Sequence, residues 1–313
     1  MKAHAKHHRL ESQQLTRRRF VGAMALAAAA ALTRSIAVGA DAGAEAPRYQ
    51  IGCYTRPWDQ FEYRVALDGI AEAGFQYAGL MTAKGKTWVM ITVDTTPEET
   101  AAIGAEVKKR GLKTLSLYAG DFPVAKSVEA GIAGLKRLID HAVACGAPHL
   151  MVAGTADAKL VPDYYKVVKE CCDYAVAKGV GLSVKPHGGQ NATGAQCRKI
   201  IELVGHKNFG VWYDPGNIFF YSDGKLDPVD DVGAVDGLVA GMSVKDFKLP
   251  KEVFVTPGTG KVDFAKVLAR LKQGGFTHGP LIVECLARGD AAKVTAEAKK
   301  ARVFIEELTG QKA

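Results

Sequence analysis

Several charged residues stand where apolar runs of the sequence end. Residues 211–213 are apolar, Asp214 follows them, and the chain then turns at Pro215-Gly216. Three further apolar runs end in the same way, at Lys185-Pro186-His187, Lys245-Asp246 and Glu284. Carboxylates, ammonium groups and an imidazole gathered at one place are suited to binding a cation or to moving a proton. These residues are therefore the first candidates for chemistry.

The apolar runs read as eight strands, one every ~30–35 residues, which is the spacing of βα units. The predicted strands are Tyr49–Tyr54, Tyr77–Met81, Thr114–Tyr118, His149–Ala153, Gly181–Lys185, Phe209–Tyr213, Gly241–Lys245 and Pro280–Cys285. They are apolar throughout rather than alternating, as expected of parallel strands that are buried on both faces. The pattern predicts an α/β fold, a single (β/α)₈ TIM barrel, whose active site lies at the carboxyl ends of the strands.

The segments between the strands read as helices with clear ends. Thr96-Pro97-Glu98-Glu99 is a helix start, and Lys108-Lys109-Arg110-Gly111 is a helix stop. The last helix is predicted over about residues 291–308, where it closes the ring. After the first strand comes Cys53-Tyr54-Thr55-Arg56-Pro57-Trp58, which is not the glycine-rich turn of a dinucleotide fold. No nucleotide cofactor is expected.

The amino terminus has the pattern of an export signal. Thr16-Arg17-Arg18-Arg19-Phe20 precedes a short apolar run and then small residues. We therefore predict a twin-arginine-type signal peptide over residues 1–40, a short linker over 41–48, and the barrel over 49–313. The expected partner is the twin-arginine (Tat) export machinery, and the expected location is the periplasm or the exterior, without stable membrane insertion after processing.

The charge of the chain also argues against a nucleic-acid partner. Residues 1–40 hold seven basic residues and one acidic residue, so they carry +6 of the net charge of +8 and leave +2 for the rest. A nucleic-acid-binding domain needs a basic stripe on its folded part. The six cysteines form no C-x₂-C pair, so a zinc-thiolate site is not expected and we interpret them as buried thiols.

The ordered residues at four successive strand ends resemble those of the xylose isomerase-like barrel superfamily, over nearly the whole mature chain. The resemblance implies a divalent metal held by Glu, Asp, His and Glu from strands five to eight. Asp214 and Glu284 match two of these positions. Lys185 stands in place of the first Glu, and Ser243 in place of the His.

Two arrangements of the site are compatible with these two replacements of expected metal ligands. In the first, His187 joins Asp214 and Glu284 as a metal ligand for Mn²⁺, Mg²⁺ or Zn²⁺. In the second, the ammonium group of Lys185 takes the place of the metal between the two carboxylates. Glu284, His187 and Lys185 are the catalytic candidates, with His187 favoured as the acid/base group and Lys185 as the electrostatic stabiliser. Asp214 is also a candidate helix N-cap.

Further polar and aromatic residues near strand ends are candidates for contacts with a small carbohydrate substrate. The predicted substrate-binding residues are Asn217, Lys245, Asp246, Tyr54, Trp58 and Tyr118. The glycines of Thr256-Pro257-Gly258-Thr259-Gly260 are predicted to offer backbone N–H groups to an oxygen-rich substrate. An alternative is that this segment is a plain turn before a helix capped by Asp263.

Three functions remain open from the sequence. The first is a sugar isomerase or epimerase that removes a proton next to a cation-polarised carbonyl. The second is a lyase or hydrolase of 3-keto-glycosides, which begins with the same proton abstraction. The third is a non-catalytic carbohydrate-binding barrel. Cleavage of DNA, which the superfamily also includes, is disfavoured by the charge and by the export signal.

Overall fold

The computed structural model describes residues 48–313, in which eight parallel strands form a closed barrel in chain order. The strands are β1 Tyr49–Tyr54, β2 Tyr77–Leu80, β3 Lys113–Tyr118, β4 His149–Val152, β5 Gly181–Val184, β6 Phe209–Tyr213, β7 Val239–Val244 and β8 Gly279–Val283. The prediction of eight strands and of a TIM barrel is confirmed, and no strand end differs from its predicted position by more than two residues. The signal peptide and the linker were predicted for residues 1–48, nearly all of which lie outside the described residues.

Helices alternate with the strands around the barrel. They are α1 Tyr63–Glu72, α2 Pro97–Lys109, α3 Val128–Ala144, α4 Val161–Ala177, α5 Gly194–Val204, α6 Pro215–Tyr221, α7 Pro228–Asp231, α8 Phe264–Gln273 and α9 Ala291–Thr309. Their starts follow from local chemistry. At α2, Thr96 accepts a hydrogen bond from the backbone N–H of Glu99, whose side chain bonds back to Thr96 N, and Pro97 fits the first helical position.

Strand pairing closes the ring between the first and last strands. Tyr49 pairs with Gly279 and Cys53 with Val283, so β1 lies beside β8 although more than half of the chain separates them. All eight strands run in one direction, and their carboxyl ends therefore meet at a single mouth. This is the end at which Lys185, Asp214, Lys245 and Glu284 follow β5 to β8.

Packed side chains fill the barrel beneath that mouth. Tyr54, Met81, Leu115, Met151, Trp212 and Ile282 form a separate buried cluster, with Tyr118 packed against it. The interior is therefore solid, with an apolar layer that supports the charged layer above it. A larger buried cluster packs the helices against the outside of the sheet.

All six cysteines are buried free thiols, as predicted. Within residues 48–313, no helix has the length and apolar character needed to cross a membrane.

Candidate functional site

Four buried charged side chains meet at the mouth of the barrel: Lys185, Asp214, Lys245 and Glu284, each at most 4% exposed. Lys185 Nζ lies 2.6 Å from Glu284 Oε2 and 2.9 Å from Asp214 Oδ2. Lys245 Nζ lies 3.1 Å from Glu284 Oε1 and 3.7 Å from Asp214 Oδ2. The two ammonium groups and two carboxylates form one buried network in which positive and negative charges balance.

Glu284 is the centre of this network. Its Oε2 accepts a hydrogen bond from Ser243 Oγ at 2.7 Å as well as from Lys185, and its Oε1 accepts one from Lys245. Burial by itself would raise the pKa of the Glu284 carboxyl, but the ammonium groups of Lys185 and Lys245 hold that pKa well below its usual range. Glu284 is therefore ionised, and both of its carboxylate oxygens already accept hydrogen bonds.

Lys185 is correspondingly held in its charged form. Burial opposes the charge, but the carboxylates of Asp214 and Glu284 override it and raise the Lys185 pKa above its ordinary value. The contact with Asp214 Oδ2 is a close ion pair that lacks hydrogen-bond geometry. Lys185 is thus a fixed cation rather than a nucleophilic amine.

Asp214 both caps a helix and contacts the lysine ammonium groups, and both roles had been considered from the sequence. It is the N-cap of α6, where its Oδ1 accepts a hydrogen bond from Asn217 N at 2.9 Å, and its Oδ2 faces the ammonium groups. The cap fixes the carboxylate through the first turn of a helix. Asn217 lies above it, where its amide oxygen accepts from Lys245 Nζ at 2.7 Å and its amide nitrogen donates to Pro186 O at 2.6 Å.

A cavity of about 160 Å³ opens onto this network. It is lined by Arg56, Met81, Thr82, Trp88, Tyr118, Lys185, His187, Asn217, Phe220, Tyr221, Lys245, Val253 and Glu284. A larger surface groove lies beside α1 and α2, but it contains no cluster of buried charges. The cavity above Lys185 is therefore the candidate active site, in the position expected for this fold.

His187 is an exposed residue whose imidazole opens into the cavity between the rings of Tyr118 and Tyr221, at centroid distances of 6.3 and 5.9 Å. Although part of the residue is exposed, the cavity walls shield much of the imidazole from water, and this desolvation together with the ammonium groups of Lys185 and Lys245 lowers its pKa to about 3. The imidazole is therefore neutral at physiological pH. It is free to accept a proton from a bound molecule.

The predicted metal set of Asp214, Glu284 and His187 is not assembled. Among residues 48–313, no group of three or more His, Cys, Asp or Glu side chains is arranged to hold a metal ion. The space between the two carboxylates is taken by the Lys185 ammonium, which has no lone pair to offer a metal. The residues present do not fit Mn²⁺, Mg²⁺ or Zn²⁺, and the geometry corresponds to the second arrangement considered from the sequence.

Three of the predicted substrate-binding residues do not reach the cavity. Tyr54 is fully buried inside the barrel, where its hydroxyl donates to Ser116 Oγ at 3.1 Å. Trp58 is fully buried in the outer core, against α1. Asp246 is buried beneath the loop that precedes α8. Asn217, Lys245 and Tyr118 do line the cavity.

The glycine-rich loop over residues 256–260 is organised by Asp246 rather than by a substrate. Asp246 Oδ2 accepts hydrogen bonds from the N–H groups of Gly258 and Gly260, and its Oδ1 accepts from Val262 N. A Cβ on Gly260 would overlap the Asp246 carboxylate. The prediction that these N–H groups face a substrate is wrong, because the buried carboxylate uses them, whereas Asp263 does cap the following helix.

We expect Asp246→Ala to destabilise the fold and to leave the chemistry of the cavity intact. The substitution strands several buried N–H groups, so the free energy of unfolding should fall by about 2–4 kcal/mol. Denaturant unfolding measures this loss. Asp290→Ala, which removes only the N-cap of α9, is the matched control and should cost about 1 kcal/mol. Equal losses in the two variants would contradict the structural role of Asp246.

Arg56 and Trp88, which line the cavity together with Tyr221, were not among the residues predicted from the sequence. Arg56 was within reach of the same reasoning, since it is a charged residue that follows the end of β1. Tyr221 is the last residue of α6, and its ring packs over Gly188. A Cβ at Gly188 would lie 2.6 Å from Tyr221 Cε1, and the backbone φ there is 84°, so glycine is required for this contact.

Comparison with known proteins agrees with the barrel fold. The family model described as xylose isomerase-like TIM barrel matches residues 67–308. The chain belongs to the xylose isomerase-like TIM barrel family. A search of curated proteins found no match.

Among solved structures, this family member is similar to several sugar epimerases. A D-psicose 3-epimerase determined in the presence of D-fructose is 16% identical, with a TM-score of 0.66 over 83% of this chain and 99% of that one. A D-allulose 3-epimerase from Methylomonas sp. in complex with D-allulose is 19% identical, with a TM-score of 0.65 over 84% and 98%. A xylose isomerase domain protein from Planctomyces limnophilus is 20% identical, with a TM-score of 0.63 over 84% and 98%. At these identities the likeness establishes the fold.

Proposed function

We propose that this protein is a sugar isomerase or epimerase that abstracts a proton next to a carbonyl, with lysine ammonium groups as its fixed cations. The observation that carries the proposal is the position of Lys185 Nζ, within 2.9 Å of both Asp214 and Glu284 at the mouth of the barrel. The epimerases that share the fold act on sugars of a size that suits a small cavity. The site has the groups that such chemistry requires.

The cations stabilise charge on the substrate oxygen. When a ketose binds with its carbonyl oxygen towards Lys185 and Lys245, both ammonium groups face the oxygen on which negative charge develops. Because they are already held in place by carboxylates, they need little reorganisation during the reaction. Stabilising the enediolate in this way acidifies the adjacent C–H bond.

His187 is the group that accepts the proton. Its imidazole is neutral and opens into the same cavity, whereas Glu284 is occupied by Lys185, Lys245 and Ser243. The negative charge that develops on the enediolate raises the proton affinity of the imidazole at the moment of transfer. The electron pair of the C–H bond becomes the enediolate double bond. In an epimerase, a proton then returns to the opposite face of the same carbon. In an isomerase, a proton goes to the former carbonyl carbon, and the hydroxyl group of the first carbon passes its proton to the former carbonyl oxygen.

Cleavage of a 3-keto-glycoside is a second candidate, supported by Trp88. This residue is 52% exposed and lies at the rim of the cavity, where its ring is available to a second sugar unit. The first proton abstraction is the same, but the enediolate would expel the leaving sugar instead of taking a proton back. We also propose that the protein is exported through the twin-arginine pathway to the periplasm or the exterior. In that location either enzyme would encounter glycosides as substrates.

The deciding test is solvent exchange. Incubation with a panel of ketoses in D₂O should place deuterium on the carbon next to the carbonyl of the recovered sugar, as measured by NMR. Because ammonium groups provide the positive charge, dialysis against EDTA should leave the exchange rate and the melting temperature unchanged. Absence of exchange with every ketose and keto-glycoside tested would contradict catalysis and favour a binding barrel. Loss of activity on chelation would contradict the role of the lysines.

A further inference from the structure

Arg56 is a charged residue of the cavity that the proton-transfer chemistry does not use. It lies in the short turn Arg56–Trp58 that follows β1, and its side chain is 17% exposed. It contributes to the lining of the cavity alongside Lys185 and Lys245. A guanidinium group keeps its positive charge at all relevant pH values.

Among residues 48–313, Glu284 is the one carboxylate within ion-pair distance of this guanidinium, and the neighbouring Cys285 thiol stays protonated because burial raises its pKa. Its Nε is 3.9 Å from Glu284 Oε1, beyond hydrogen-bond distance, and that buried Nε has no hydrogen-bond partner. Its central carbon lies 5.0 Å from the ring centroid of Trp88 and 5.5 Å from that of Phe254. The aromatic rings hold the side chain in place without neutralising it.

The positive charge of Arg56 exceeds the negative charge available around the cavity. Lys185 and Lys245 are balanced by Asp214 and Glu284, whose Oε1 and Oε2 already accept hydrogen bonds. The nearby Asp59 is paired with Arg288 at 3.1 Å.

The other titratable groups that face the cavity add no negative charge. The imidazole of His187 is neutral, and burial raises the pKa values of Tyr118 and Tyr221, so both phenols are neutral as well. One positive charge is therefore uncompensated at the wall of a small cavity.

We propose that Arg56 is the binding site for a carboxylate of the substrate, so that the protein acts on a sugar acid rather than on a neutral sugar. This inference rests on the proposed function and specifies its substrate class. A carboxylate brings one negative charge and matches the planar fork of a guanidinium. A phosphate ester carries about −1.5 to −2, which is more than one arginine balances, and a neutral sugar leaves the charge unpaired.

The experiment compares three sugars that differ at one carbon: D-fructose, D-fructuronate and D-fructose 6-phosphate. Calorimetric titration of the full chain should show that D-fructuronate binds at least tenfold more tightly than either of the others. In Arg56→Gln the preference should disappear, and in Arg56→Lys it should be reduced, because the charge remains but the fork is lost. Arg64→Gln is the matched control, since Arg64 also lies over an aromatic ring, 4.6 Å from Tyr63, but does not line the cavity.

Each outcome of the binding experiment either supports or overturns a carboxylate site at Arg56. Equal binding of D-fructose and D-fructuronate by the unmodified protein, or tightest binding of the phosphate, overturns it, and this comparison holds even if an Arg56 variant does not fold. A preference that survives in Arg56→Gln also overturns it. Deuterium exchange is scored separately: exchange without a carboxylate preference rejects the Arg56 site alone, and a carboxylate preference without exchange on any sugar rejects only the proposed catalysis.

Discussion

Replacing Lys185 with methionine should both destabilise the protein and strongly reduce its proton-transfer activity. The substitution leaves Asp214 and Glu284 buried with Lys245 as the one remaining ammonium group in contact with both of them. Removing one partner of a buried ion pair costs about 3–5 kcal/mol, because a buried charge is left uncompensated. Deuterium exchange into the substrate should fall by about 10²–10³-fold, the usual loss when a preorganised stabilising group is removed. Chemical denaturation and NMR exchange measure the two effects.

Two further variants separate stability from chemistry. Lys251→Met removes an exposed ion pair with Asp223 and should cost less than about 1 kcal/mol. Combining Lys185→Met with Glu284→Gln removes one charge of each sign, so stability should recover in part while exchange stays lost. A stability loss in Lys185→Met no larger than in Lys251→Met would show that Lys185 is not the counter-cation. Restoration of exchange in Lys185→Met by added Mn²⁺ would show that a metal can do the same work.

His187→Gln should remove activity while leaving the fold stable. His187 is exposed to the cavity, and among the described residues its ring makes no hydrogen bond, only aromatic contacts with Tyr118 and Tyr221. Losing a general base should slow exchange by about 10²–10⁴-fold, whereas the free energy of unfolding should change by about 1 kcal/mol or less. His278→Gln, on the surface before β8, is the control and should match the unmodified protein in both measurements.

The pH dependence gives an independent check on His187. Because its pKa is lowered to about 3, the exchange rate should show no inflection near pH 6.5, the ordinary value for histidine. The unfolded chain takes up this proton near pH 6.5 and the folded protein does not, so stability should decrease as the pH falls from 6.5 towards 3. His187→Gln should lose less stability over that range. An inflection near pH 6.5 that disappears in His187→Gln would show that the imidazole titrates normally.

The sequence predicted the barrel because its signals are local. Each strand is a short apolar run, and each helix start, such as Thr96 with Glu99, depends on residues three positions apart. The charged residues at strand ends could also be found, because parallel strands bring their carboxyl ends to one side whatever the details of packing. Position directly after a strand was enough to identify the four charged members of the network: Lys185, Asp214, Lys245 and Glu284.

The incorrect predictions of substrate-binding residues concern side chains that point away from the cavity. Lys245 and Asp246 are adjacent, yet Lys245 faces the cavity and Asp246 turns outward to the loop at Gly258 and Gly260. Tyr54 is the last residue of β1 and Trp58 lies in the turn after it, but Tyr54 fills the barrel interior and Trp58 packs against α1. Position in the sequence places a residue near the mouth of the barrel and does not by itself say which side its side chain takes.

The sequence alone was enough to predict the fold and the end of the barrel that carries the site, and it left a metal and a lysine as two alternatives for the central cation. The tertiary structure places the Lys185 ammonium between both carboxylates, one of which, Glu284, is 99 positions away in the sequence. It also revealed Arg56, which reaches the edge of the same network only because β1 closes the ring against β8. Such contacts depend on barrel closure, which no local pattern of residues encodes.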